Sequence, residues 1–235
     1  MSQGNSVAEN VAAVRERMQR AAARCGRAAD EITLVAVSKT FPAEKIREAY
    51  EAGVRHFGEN RVQEWEQKRA ALADLRATWH LVGHLQSNKA KRAALMFHCV
   101  DAVDDAALAK KLNQAVGEMA HEGGGRLRVL IEVRVAHEPS KSGAAEADVP
   151  ALAERVMALP HLELAGLMCI PPLLEDAQAA RPYFRKLRGL RDAVSARLRI
   201  ALPVLSMGMS QDFEVAIEEG ATEVRLGTAL FGGRH

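Results

Sequence analysis

The sequence offers little that could staple, ligate or span. Its three cysteines, Cys25, Cys99 and Cys169, lie far apart with no Cys-x-x-Cys and no metal-ligand spacing. An odd, sparse count fits reduced thiols in a cytoplasmic protein better than a disulfide framework. The longest uncharged stretch beside a strand pattern, Leu164 to Leu174, contains two prolines and falls far short of a membrane span. Met1 to Asn10 is polar and has no apolar signal core. Neither sign of charge dominates, with 32 basic and 30 acidic residues and a net charge of +2. That balance argues against a nucleic-acid surface, and Lys89-Ala90-Lys91-Arg92 reads as a solvated helix face.

Aromatic residues make up only 4% of the chain. Trp65 and Trp79 read as packing residues. Tyr50 and Tyr183 both fall in helical patterns, which leaves no loop tyrosine as a proton-transfer base. No GxGxxG follows the first strand pattern, so the open dinucleotide-binding sheet, the main competing architecture, lacks its phosphate loop.

What is present is alternation. Val7, Val11, Val14 and Met18 mark one face of an opening helix. Ile32 to Val37 is a compact, β-branched run that predicts a buried strand. Pro42 then starts a helix that runs through Tyr50, and Gly53 stops it. The pattern repeats, with strands expected at 32–38, 54–58, 78–83, 98–103, 127–135, 162–170, 203–207 and 223–227. Helical patterns separate them, including 104–120, 148–158 and 176–198. Eight strands with intervening helices in 235 residues predict an α/β fold, a single (β/α)8 TIM-type barrel with an extra N-terminal helix. No composition break divides residues 1–235, and Gly123-Gly124-Gly125 reads as a flexible turn before the fifth strand.

In such a barrel, chemistry gathers where strands run into the following loops. Lys39 ends the first strand and shares a face with Val35 and Val37, which predicts a deep, apolar setting. Burial there favours a neutral, nucleophilic amine of the Schiff-base kind, whereas a lysine snorkelling to water is the plainer alternative. Ser206-Met207-Gly208-Met209-Ser210 follows the seventh strand, and Arg225-Leu226-Gly227-Thr228 ends the eighth. Glycines and hydroxyls at these two places are where barrels commonly hold phosphate. Ser210 or Asp212 could instead cap the helix that begins near Phe213. Arg225 faces inward and needs an anion or acceptors, so a structural ion pair is its alternative role. His80 and His84 fall on one face of the third strand. They are strand residues four apart, so no helical zinc pair is formed and no metal is expected.

These strings resemble the pyridoxal phosphate homeostasis proteins, relatives of the N-terminal barrel of alanine racemase. The resemblance covers nearly the whole chain. It rests on Ala36-Val37-Ser38-Lys39-Thr40, Phe57-Gly58-Glu59-Asn60 and Gly83-His84-Leu85-Gln86-Ser87-Asn88-Lys89. Lys141-Ser142-Gly143, Gly166-Leu167-Met168 and the two glycine-bearing strings above complete it. The resemblance implies that Lys39 carries pyridoxal 5′-phosphate as a Schiff base. It implies that Ser210, Gly227 and Thr228 hold the phosphate, with Ser206 and Met207 nearby. Arg225 would approach the pyridine nitrogen, Asn60 would lie close to the ring, and Lys141 would stand near the mouth as a second amine.

An arginine beside that nitrogen disfavours ring protonation and weakens the ring as an electron sink. Racemases of this fold take a catalytic tyrosine from a second domain, for which this sequence has no counterpart. The expectation is therefore a non-catalytic carrier in vitamin B6 homeostasis, with PLP-requiring apoenzymes as recipients and no nucleic-acid or membrane partner. Without a dimer-forming domain a monomer is expected. A PLP-dependent amino-acid racemase or decarboxylase is the enzymatic alternative, and a cofactor-free Schiff-base aldolase is a third.

Overall fold

Alternating strand and helix patterns close on themselves in the computed structural model, which describes residues 5–119, 125–136 and 142–233. Eight parallel strands form the ring: β1 (Thr33–Val37), β2 (His56–Glu59), β3 (Thr78–Leu81), β4 (Cys99–Val103), β5 (Leu127–Arg134), β6 (Leu162–Met168), β7 (Val204–Ser206) and β8 (Glu223–Leu226). Each strand pairs with its neighbour in chain order, and β8 returns to β1, with Val35 opposite Arg225 and Ala36 opposite Leu226. A two-residue strand, Ala144–Ala145, adds to the carboxyl end of β5. Every expected strand is present, so the barrel reading stands. Several strands end a residue or two early: β3 stops at Leu81 and β6 at Met168, the latter before Pro171-Pro172. Lys141 and the Gly123-Gly124 part of the glycine turn lie outside the described residues.

The outer layer consists of α1 (Val7–Arg24), α2 (Ala43–Glu51), α3 (Val62–Arg69), α4 (Ala90–Met96), α5 (Ala106–Met119), α6 (Val149–Met157), α7 (Arg181–Leu198), α8 (Phe213–Glu218) and the single turn α9 (Thr228–Phe231). The pattern read as one helix over 176–198 is a 3-10 turn followed by α7, whose first turn carries Pro182. The opening helix begins with a capping box between Ser6 and Glu9, and it buries Val7, Val11, Val14 and Met18 as its spacing predicts. It packs on α8 and α9, where the Asn10 amide donates to the Leu230 carbonyl at 2.9 Å and Arg17 pairs with Glu214 at 3.2 Å. No helix among the described residues is long and apolar enough to cross a membrane.

Alternation along the strands separates two interiors. Outward residues such as Phe57, Leu81, Val129, Ile131, Leu205 and Leu226 join the helices in the large core between sheet and helices. Trp65 and Trp79 are both part of it, their rings 3.9 Å apart, which fits their reading as packing residues. The barrel's own interior holds a small apolar group, Ala102, Leu130, Ala165, Met168 and Val204. Val35, Val37 and Val82 also face inward, and among them lie polar side chains: His80, Asp101, Glu132, Ser206, Glu223 and Arg225 are all buried. Buried polar groups need partners, and these largely partner one another. His80 Nδ1 lies 2.9 Å from Asp101 and its Nε2 lies 3.0 Å from His56. Ser206 donates to Glu223 at 2.6 Å, and Arg225 donates to Ser206 at 2.6 Å and to the Cys169 carbonyl at 2.7 Å.

Candidate functional site

The carboxyl ends of the strands surround a cavity of about 500 Å3. Six of the eight residues singled out from the sequence line it: Lys39, Asn60, Ser210, Arg225, Gly227 and Thr228. Ser206 is fully buried and lies one step below, bonded to Arg225. Met207 is outside the cavity. Ser206 points inward, so its neighbour must point outward, and Met207 packs in the outer core with helix residues.

The backbone on both sides of Lys39 is pinned. The Ser38 hydroxyl donates to Glu59 at 2.8 Å, and Lys68 of α3 donates to the Ser38 carbonyl at 3.0 Å. The Thr40 amide donates to Glu64, also on α3, and Thr40 has φ +68°, a left-handed conformation that costs a residue with a Cβ. Lys68 in turn pairs with Glu59 at 3.1 Å and Glu64 at 2.6 Å. Lys39 is therefore held at a fixed point of the rim. It is half-buried there, shallower than its alternation with Val35 and Val37 suggested, because β1 ends at Val37 and the chain turns outward.

Opposite, the seventh and eighth loops interlock. The Ser210 hydroxyl accepts from the Ala229 amide at 3.1 Å, tying one loop to the first turn of α9. The Asp212 carboxylate accepts from the Met209 amide at 2.6 Å, closing its own loop. Neither side chain caps α8, so the capping alternative fails for both. Gly208 makes the turn at φ +95°, and an added Cβ would stand 2.6 Å from the Ala216 methyl. Arg225 forms the floor between these loops and Lys39. Its inward charge is met by hydrogen-bond acceptors, as the sequence required, and its guanidinium still lines the cavity.

Other wall residues were not legible. Val37, Val82, Ile170, Pro172 and Leu173 form apolar flanks, and Leu173 is 81% exposed at the mouth. Glu132 lines the wall from β5, with Ser142 donating to its Oε1 at 3.0 Å. Ser142 reaches it because Gly143, at φ +111°, brings the loop so close that a Cβ would lie 2.9 Å from the Arg134 nitrogen. Burial raises the Glu132 carboxyl above its usual range and Asp104 adds to this, against the lowering effects of Ser142, Arg225 and His84. The signal in the sequence was an acid set within an apolar run, between Val129-Leu130-Ile131 and Val133. Burial pushes the Cys169 thiol up to about 12, which leaves it inert beside the site.

His80 and His84 part company. His80 points into the barrel, whereas His84 lies in the loop beyond β3, lines the cavity and faces Asp104 at 3.5 Å. His80, Cys99 and Asp101 bring ligand atoms within 4.8 Å of one another. Both ring nitrogens of His80 already have partners there. Burial alone would depress this imidazole, but the charge and hydrogen bond of Asp101 hold it well above its usual value.

Residues 10–235 match the family described as the alanine racemase N-terminal domain. The pyridoxal phosphate homeostasis protein of Aquifex aeolicus is 46% identical over 229 residues, covering 96% of this chain and 97% of the relative. The protein of the same name from Pseudomonas aeruginosa is 47% identical over 98% of this chain and 96% of the relative. The structure of PipY from Synechococcus elongatus with PLP bound superposes with a TM-score of 0.85. It is 38% identical and covers 97% of this chain and all of its own.

Proposed function

The chain belongs to the pyridoxal phosphate homeostasis proteins, built on the alanine racemase N-terminal domain, and from that premise we propose that it binds pyridoxal 5′-phosphate at the barrel mouth through Lys39. The observation that carries this reading is the donor set of one cavity. A primary amine, a guanidinium and two hydroxyls beside a glycine converge on about 500 Å3 with apolar flanks. That set fits a flat ring bearing an aldehyde, a nitrogen and a phosphate. The bound cofactor supplies an aldehyde that condenses with amines.

The residues of this chain do the rest. Lys39 offers its amine from a rim held by Ser38, Thr40 and α3. Ser210, Gly227 and Thr228 would hold the phosphate end, and Asn60 would flank the ring. Arg225, fixed by Ser206 and the Cys169 carbonyl, would hold the ring end of the cofactor, and its permanent positive charge would disfavour a proton on the ring nitrogen. A ring without that proton withdraws electrons poorly, which favours holding the cofactor over carbanion chemistry. Tyr50 and Tyr183 lie in α2 and α7, and no tyrosine lines the cavity among the described residues. This supports a carrier that stores the aldehyde and hands it to apoenzymes.

The test is the visible spectrum of the pure protein before and after borohydride, followed by peptide mass mapping. A yellow band that bleaches, with a pyridoxyl adduct on Lys39, is the expected result. No band after addition of the cofactor would overturn the reading. Exchange of the α-proton of alanine or serine that disappears in Lys39→Ala would convert the carrier into a racemase.

A further inference from the structure

Most of the buried polar atoms in the barrel are satisfied from within. Among the described residues, Glu59 Oε2 and Glu132 Oε2 are the buried side-chain oxygens without a hydrogen-bond partner. Glu59 points outward toward Lys68, which bonds its other oxygen. Glu132 is different. It lines the cofactor cavity, is only 5% exposed, and spends Oε1 on Ser142. Leaving a buried acceptor empty is costly, so its place among the buried apolar residues Leu130, Ile131 and Val133 calls for a donor that arrives from the cavity.

The surroundings narrow what that donor is. Among the described residues, the charges acting on Glu132 are those of Asp104 from the end of β4, Arg225 from β8 and His84 from the loop after β3; the Cys169 thiol lies near it and Lys39 lines the same cavity. Arg225 is committed to Ser206 and the Cys169 carbonyl, and His84 faces Asp104. The local field of Glu132 and Asp104 repels an incoming carboxylate or phosphate and attracts a cation with N–H donors. A small primary ammonium group fits that description, and a carrier that gives up an aldehyde to amines must admit one.

We propose that Glu132 docks the ammonium group of a small primary amine that carries no carboxylate of its own and accepts its proton, so that this amine displaces Lys39 from the cofactor. The proposal rests on the function argued above. The step balances. The ammonium proton passes to Glu132 Oε2, and the freed nitrogen lone pair forms the new bond to the aldehyde carbon. A second proton moves from the incoming nitrogen to Lys39 Nζ. The bond from that carbon to Nζ breaks as the carbon's double bond to the new nitrogen forms, and the departing amine recovers the first proton from Glu132. One ammonium enters and one leaves.

Exchange is read by stopped-flow absorbance after adding methylamine to the loaded protein across a pH series. Glu132→Gln is expected to slow it about a hundredfold, in the range of general-base contributions. The wild-type rate should rise with pH through a carboxyl titration that the variant lacks. Ser142→Ala removes a hydrogen bond that favours the carboxylate, so it should keep exchange and move that rise to higher pH. Calorimetry gives a second readout independent of the cofactor: methylammonium should bind unloaded wild-type protein and not unloaded Glu132→Gln. Exchange at the wild-type rate in Glu132→Gln, whether or not cofactor affinity drops, would overturn the proposal. So would methylammonium heat that persists in that variant. If the wild type takes up no cofactor, the function fails on its own, and the calorimetric comparison still decides the ammonium site.

Discussion

Lys39 is placed by its neighbours more than by its strand. Lys68 holds the Ser38 carbonyl and the buried Glu59 together, so its loss strands a carboxylate with a side chain that is 0% exposed. Lys68→Met should cost about 3 kcal/mol in chemical denaturation, the range for breaking one partner of a buried pair. It should also lower the yield of Lys39 adduct on borohydride reduction. Lys39→Ala should abolish that adduct while cofactor remains bound through the phosphate residues, which equilibrium dialysis would measure. A pH effect belongs here as well. Burial, with the charge of His80, lowers His56 from 6.5 to about 4. A histidine held neutral contributes stability above 6.5 that is lost as pH falls toward about 4. Denaturation midpoints from pH 7 to 4 should therefore fall less steeply in His56→Gln. Lys39 and Arg225 were legible because strand-end position and side-chain alternation are local properties. Glu132 was not, since a single acid in Leu127–Arg134 discloses neither its depth nor the loop that comes to cover it.

At the scale of elements, the loop between β7 and α8 depends on its glycine. Gly208→Ala forces a methyl into φ +95° and to within 2.6 Å of Ala216. The expected cost is about 2 kcal/mol, a strained backbone position without relief. Because Ser210 follows in the same loop and accepts from Ala229, cofactor affinity should fall along with stability. Thr228→Ala, at the first turn of α9, should weaken binding about five-fold, the loss of one hydrogen bond, without removing the covalent link. The strands were readable because β-branched runs at even intervals leave few alternatives. Their ends were not: beyond β3 Gly83 packs against the Asn60 backbone, and beyond β6 the Cys169 amide makes one more bond to Ser206 of β7 before Pro171-Pro172, which offer no amide donor. Met207 shows the same limit. Proximity in a motif suggested a role at the site, and the strand's alternation turned the side chain away from it.

For the whole molecule, the ring of eight strands encloses charged and polar groups alongside a small aliphatic cluster. The polar chain from His56 through His80 toward Glu223, Ser206 and Arg225 runs along the interior from beneath the cavity to its floor. Its groups come from β2, β3, β4, β7 and β8, so they meet only when the barrel is closed. Ligand binding should therefore act on the whole ring. At free PLP about a hundred times its dissociation constant, the unfolding free energy should rise by about 2.7 kcal/mol. Circular dichroism and tryptophan fluorescence should shift together if residues 1–235 form one domain, and separate transitions would refute that. The barrel was legible in the sequence, whereas its polar interior was not, because the contacts that satisfy it join residues far apart in the chain.

The pairing of Trp65 with Trp79 has a practical consequence in light. The chain contains only these two indoles, and their rings touch on the outside of β3, one strand away from the loop that carries Asn60. Their emission comes from a single place on the barrel wall. A bound chromophore that absorbs near their emission would drain it by energy transfer from one fixed distance. Filling and emptying of the cavity can then be followed in the unlabelled protein, with the β3 wall serving as its own built-in lamp.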